Sequence, residues 1–83
     1  MREFEAEDGM KWEAFAADEV VAHGKPGAVL AFRKPGDYRD EGLRSKVTFN
    51  SMEAAGFALR TMSDKELRRR LSLARAAAGE MAR

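Results

Sequence analysis

The sequence predicts an α+β fold, in which a small antiparallel sheet of about four strands, arranged as a meander, is followed by two C-terminal helices in the order ββββαα. Three observations support this prediction. Residues 1–50 contain short apolar stretches of strand length, turn signals separate these stretches, and after residue 50 the hydrophobic period changes to that of helices. The 83 residues are enough for one domain, so residues 1–83 are treated as a single unit.

The first two strands are predicted to form a hairpin. Phe4 and Ala6 alternate with charged neighbours, and Asp8-Gly9 after them is a strong signal for a two-residue hairpin turn. Apolar residues at positions 10, 12, 14 and 16 would share one face of the second strand. Phe15 falls on the other face, so either a bulge lies there or the strand is buried on both sides.

Two Lys-Pro-Gly turns are predicted to bracket the third strand. In Lys25-Pro26-Gly27 and Lys34-Pro35-Gly36, proline presets the first central position of the turn and glycine supplies the positive φ of the second. Residues 28–32 between them are continuously apolar, which is typical of a central strand covered on both faces. A fourth strand is predicted over residues 44–49.

The first helix is predicted to begin near Met52. Asn50 or Ser51 would cap it, and the spacing from Asn50 to Glu53 fits a capping box. Gly56 in the helix interior costs about 1 kcal/mol relative to alanine. We therefore expect another backbone to approach closely at this glycine.

The second helix is predicted to run from Ser63 to Arg83, beginning with the capping-box sequence Ser63-Asp64-Lys65-Glu66. Apolar residues recur with helical spacing at positions 67, 71, 74, 78 and 81. Its first half, as far as Ala74, is expected to belong to the core. The expected core residues come from both halves of the chain: Trp12, Val29, Phe32, Phe49, Leu59, Leu67 and Leu71.

Composition restricts the classes of function. The chain has no cysteine, which excludes disulfides and thiolate metal sites. Its apolar runs are far shorter than a membrane span, so we expect no membrane insertion and a cytoplasmic location, as for a small bacterial protein. His23 is the single histidine, and neither a dinucleotide-binding nor a phosphate-binding glycine motif is present. We expect no enzyme activity, cofactor, metal or small-molecule ligand.

Charge is distributed unevenly along the chain. Residues 1–43 carry six Lys/Arg and ten Asp/Glu, a net charge of −4, whereas residues 44–83 carry nine and four, a net charge of +5. The division follows the predicted fold, with an acidic sheet half (residues 1–50) and a basic helical half (residues 51–83). This asymmetry would either steer a partner or draw the two halves of the fold together.

The basic second helix is the candidate interaction surface. Its arginines could be a solvated face that covers apolar surface, or they could contact phosphates in a two-helix nucleic-acid-binding unit. We favour a small non-catalytic protein-binding or accessory domain, with another protein or a second copy of the chain as partner. The alternative is a small nucleic-acid-binding regulator. The candidate partner-binding residues are Arg68, Arg69, Arg70, Leu73, Arg75, Ala77 and Met81.

Overall fold

The computed structural model describes residues 1–36 and 42–79 and has the ββββαα arrangement that the sequence predicts. Its four strands form one antiparallel sheet in chain order, so that the first and last strands are its edges. The strands are β1 (Arg2–Glu5), β2 (Lys11–Val20), β3 (Pro26–Arg33) and β4 (Leu43–Phe49), and the helices are α1 (Met52–Thr61) and α2 (Asp64–Ala77).

The β1–β2 hairpin is confirmed, but its loop is one residue longer than predicted. Ala6 and Met10 close it through a 2.9 Å backbone hydrogen bond, which leaves residues 7–9 in the loop. Gly9 has a φ of 81°, the left-handed conformation that a three-residue hairpin loop requires at its last position. The Asp8-Gly9 signal therefore located the turn but not its length.

The turn predicted at Lys25-Pro26-Gly27 is wrong, because Pro26 and Gly27 belong to β3. The chain reverses earlier, at His23 and Gly24, whose φ angles are 61° and 74°. Gly27 is needed for its lack of a side chain and not for a turn, because a Cβ there would stand 2.5 Å from the carbonyl oxygen of Phe49. The turn at Lys34-Pro35-Gly36 is confirmed by the φ of 85° at its glycine.

One face of the sheet packs against both helices and carries the core. α2 contacts both edge strands, β1 and β4, and so crosses the width of the sheet. Most of the expected core residues meet on this face. The buried cluster consists of Phe4, Ala6, Trp12, Ala14, Leu30, Phe32, Leu59, Leu67, Leu71 and Ala74, with Phe49 packed against it.

The other face of the sheet is covered by its own long side chains. Arg33 donates from Nε to Glu13 Oε1 at 3.0 Å, and its guanidinium lies 4.2 Å from the centre of the Phe15 ring. Beside them Val29 is buried, although it is separate from the core cluster. β2 keeps an unbroken register against β3, so a bulge at Phe15 is wrong. The prediction that β3 is covered on both faces is confirmed.

Ser51 caps α1 by accepting a 3.1 Å hydrogen bond from the amide of Ala54. With Ser51 as the cap, Glu53 stands one residue too early for the predicted capping box, which is therefore wrong. The close backbone approach expected at Gly56 is also wrong. Leaving aside its chain neighbours and its own helix backbone, the one atom of the described residues within 4 Å of where a Cβ would stand is Arg60 Nη1, at 3.5 Å.

α2 begins as predicted but ends earlier. Ser63 Oγ accepts a 3.1 Å hydrogen bond from the amide of Glu66. The helix ends at Ala77 rather than at Arg83 because Gly79 adopts a φ of 85° and donates its amide to the Ala76 carbonyl. A left-handed glycine at this position is a common helix stop.

Arg2 of β1 fixes the junction between the two helices. Its guanidinium donates to the carbonyl oxygens of Leu59, at 3.0 Å, and of Met62, and it pairs with Asp64 at the start of α2. These carbonyls lie at the C-terminal end of α1, where no amide of the same helix is available to them. The first strand therefore sets where α2 begins its path across the sheet.

Candidate functional site

The structure separates the predicted partner-binding residues into groups on different sides of α2. Arg68 and Arg75 lie on the side of the helix that faces β1. Arg69 is exposed. The other three, Arg70, Leu73 and Ala77, line a groove against β4. Met81 lies outside the described residues.

The arginines on the β1 side contact the acidic half of the domain. Arg75 Nη1 lies 3.3 Å from Asp8 Oδ2, and its guanidinium carbon lies 5.5 Å from the centre of the Trp12 ring. Arg68 donates a long hydrogen bond, 3.5 Å, to the carbonyl of Glu5. These contacts support the interpretation that opposite charges draw the two halves of the fold together.

Asp8 is held in its charged form by its surroundings. The amide of Met10 donates to Asp8 Oδ1 at 2.9 Å, which is the main reason that the pKa of this carboxyl lies below its ordinary value. The hydrogen bond and the positive charge of Arg75 lower the pKa further, and desolvation opposes both effects. Asp8 is therefore an anchor for Arg75 across the neutral pH range.

Glu66 divides the run of three arginines. Its Oε2 lies 2.6 Å from Arg70 Nε and 3.3 Å from Arg69 Nη1. Because Arg68 points to the other side of the helix, α2 does not present its arginines as one continuous cationic stripe.

The groove between α2 and β4 has a volume of about 340 Å³, and we call it the α2–β4 groove. Apolar side chains from both elements and three cations line it, and every charged residue in the lining is positive. Leu73 is its most prominent apolar residue, with 52% of its surface exposed. The lining residues are Arg44, Ser45, Lys46, Val47, Arg70, Leu73, Ala74 and Ala77.

The three cations of the groove differ in how far their charge is neutralised. Arg70 pairs with Glu66, as described above, and Arg44 Nη1 lies 3.5 Å from Glu19 Oε1. Lys46 makes no ion pair with any residue that the structure describes. The positive charge most open to a partner is therefore that of Lys46.

β4 forms one wall of the groove and is an edge of the sheet. It pairs with β3 on one side, and no strand within residues 1–36 or 42–79 pairs with its other side. Its pairing with β3 shifts register between Val29 and Ala31. Next to this irregularity the amide of Val47 donates to Ser45 Oγ at 3.1 Å. The groove thus runs beside a strand edge that another chain can reach.

The β4 residues of the groove were not predicted from the sequence as part of the site. A signal was present, because the last strand of a meander lies at a sheet edge and Arg44 and Lys46 occupy alternate positions along it. Alternate residues of a strand share a face. What the sequence could not show is that α2 packs against this edge of the sheet.

Other features of the described residues do not indicate a second kind of site. Within them no group of three or more His, Asp or Glu side chains could hold a metal ion, and His23 is exposed in the β2–β3 turn. In the same part of the chain no helix has the length and apolar character needed to cross a bilayer.

Comparison with protein-family models, with curated proteins and with solved structures finds no significant match.

Proposed function

We propose that the protein is a small protein-binding module that holds a segment of a partner protein in the α2–β4 groove. The observation that supports this most strongly is the half-exposed Leu73, which lies among apolar neighbours and three cations beside a free strand edge. Apolar anchors surrounded by charged residues are typical of protein interfaces. Lys46, Arg44 and Arg70 would steer an acidic partner toward the groove.

Nucleic acid fits this geometry less well. Phosphate binding depends on many cations along one surface. Here Arg68 and Arg75 contact the acidic half of the domain, and Glu66 lies between Arg69 and Arg70. An apolar floor has no counterpart in a phosphate backbone. The geometry therefore favours a protein partner over nucleic acid.

Binding rather than catalysis is proposed because the groove lacks a nucleophile with a base beside it. Among the residues that the structure describes, its lining contains no histidine or carboxylate, and the Ser45 hydroxyl accepts a hydrogen bond from the amide of Val47. An activated nucleophile needs a base within hydrogen-bond reach. The cytoplasmic location stays a prediction.

The proposal is tested by affinity capture from native lysate with three baits, namely the natural chain, Leu73→Asp and Phe57→Asp. Phe57, 62% exposed on α1, is a matched control because it is another exposed apolar residue on a helix but lies outside the groove. A carboxylate in the groove would remove the apolar contact. We expect the partner to be retained by Phe57→Asp and lost by Leu73→Asp, with both variants folded by circular dichroism.

The reverse pattern, with the partner lost only in Phe57→Asp, would contradict the proposal, as would capture that neither substitution changes. If the baits recover nucleic acid, and nuclease treatment abolishes all binding, the result would support nucleic-acid binding instead.

A further inference from the structure

We infer that the occupant of the α2–β4 groove is an extended segment that adds to the free edge of β4 and alternates acidic with apolar residues. This inference rests on the proposed function and specifies its binding mode and the chemistry of the partner. Two observations support it, namely the unpaired edge and the arrangement of charge around it.

The edge offers backbone hydrogen bonds. In an edge strand, alternate amide and carbonyl groups point away from the sheet, and a peptide in extended conformation can pair with them. β4 spans seven residues, Leu43–Phe49, and its regular pairing with β3 is interrupted across residues 45–47, so the regular parts of this edge lie on either side of them. The amide of Val47 donates to the Ser45 hydroxyl and so already has an acceptor within β4.

The side chains of β4 determine the pattern of the partner. Val47 packs toward the core and the groove, whereas Arg44 and Lys46 are exposed. An added strand places its own side chains alternately toward these two environments. Its apolar residues would meet Leu73 and Ala77, and its acidic residues would lie beside the cations.

The same charges argue against β4 of a second copy as the occupant. Two β4 strands side by side would bring the cations Arg44 and Lys46 of one copy close to those of the other, and like charges across strands are destabilising. The chain itself uses the inferred pattern on its opposite edge. Glu3 and Glu5 of β1 are exposed while Phe4 between them is buried.

The probe is a fluorescent seven-residue peptide that alternates glutamate and valine, matched in length to β4. It is titrated into three full-length proteins: the natural chain, Arg44→Glu with Lys46→Glu, and Lys25→Glu with Lys65→Glu. Both double variants lower the net charge by the same amount, from +1 to −3, but only the first alters the groove. We expect the groove variant to bind about tenfold more weakly, because attraction becomes repulsion at both positions. The control should bind nearly as well as the natural chain.

Backbone pairing is tested with two further peptides of the same sequence, one N-methylated on the glutamates and the other on the valines. Alternate amides of a strand point to the same side, so edge pairing requires only one of these two sets. We expect one methylated peptide to bind like the parent and the other to lose binding. Equal affinities of the two would overturn strand addition.

The outcomes separate this inference from the proposed function. Suppose that Leu73→Asp loses the captured partner, but the peptide either does not bind or binds all three proteins equally. This result would overturn the inference and leave the proposed function standing. If light scattering shows a mass that rises with protein concentration and falls to that of the monomer in Arg44→Glu with Lys46→Glu, the occupant is a second copy instead. Tighter binding of a DNA oligonucleotide than of the peptide at the same sites would overturn both proposals.

Discussion

Gly56 shows what a local sequence rule can and cannot reveal about a single residue. Its propensity cost in a helix is a local property, and it suggested a close backbone neighbour that the fold does not contain. Gly27 is the opposite case, because it appeared to be a turn residue but stands against the Phe49 carbonyl. Both readings failed for the same reason: the sequence does not show what packs against a position.

Replacing Gly56 with alanine should stabilise the protein by about 0.5–1 kcal/mol. The space for a Cβ is open, and alanine restricts the unfolded chain more than glycine does. Urea unfolding measures the change. Gly42→Ala is the control and should destabilise, because Gly42 has a φ of 79° and its Cβ would collide with the Phe32 carbonyl. A destabilised Gly56→Ala would show that the glycine has a role that its surroundings do not reveal.

Asp8 should contribute to stability at neutral pH and lose that contribution in acid. Because its pKa is lowered in the folded state, the contribution is present above the ordinary value of 3.8 and disappears as the pH falls through the lower folded value. Asp8→Asn should therefore be less stable than the natural chain at pH 7, with the difference fading as the pH falls below 3.8 and through the lower folded pKa. Unfolding at several pH values measures it, and a difference that persists in acid would contradict the ionic explanation.

At the scale of elements, pattern and capping were more informative than at the scale of residues. Alternation and, for β3, a continuous apolar run identified the four strands, and the Ser63 cap located the start of α2. The end of α2 was placed too late because the stretch of alanines favours a helix, whereas Gly79 adopts a left-handed conformation and stops it. The contacts of Arg2 with the α1–α2 junction had no local signal, since they join residues about 60 positions apart.

Truncation after Ala74 should leave a folded domain that has lost partner binding. The buried residues of α2, Leu67, Leu71 and Ala74, would remain, whereas Ala77 of the groove and the contact between Arg75 and Asp8 would be lost. Circular dichroism and a binding assay separate the two effects. A truncated chain that is unfolded, while Arg75→Ala in the full chain is folded, would show that the last helical turn belongs to the core. A truncated chain that still binds would show that the groove residues that remain, Leu73 and Arg70 among them, are sufficient for binding.

At the scale of the whole molecule, the fold class could be predicted but the assembled site only in part. Arg70, Leu73 and Ala77 could be selected because they lie near one another along one helix. Arg44 and Lys46 could not be joined to them, because their proximity depends on the path that α2 takes across the sheet. Periodicity predicts which face of a strand is buried, but not which edge of the sheet meets a distant helix.

The predicted charge asymmetry has a structural consequence at this scale. The pair Asp8–Arg75 joins the acidic sheet half to the basic helical half, and Glu19–Arg44 pairs β2 with β4 within the sheet half, so part of the asymmetry is satisfied within the fold. Lys46 is the groove cation for which the described residues provide no counter-charge. Selectivity for an acidic partner is therefore expected to depend on a few groove positions rather than on the overall charge of the protein.

Amide hydrogen exchange of the full-length protein, with and without its captured partner, tests the α2–β4 groove most directly. We predict slower exchange in β4, Leu43–Phe49, and around residues 70–77 of α2 when the partner is bound. Exchange in α1 and in the β1–β2 turn should be unchanged. Protection confined to α1 or to the β1–β2 turn, with β4 unaffected, would contradict it.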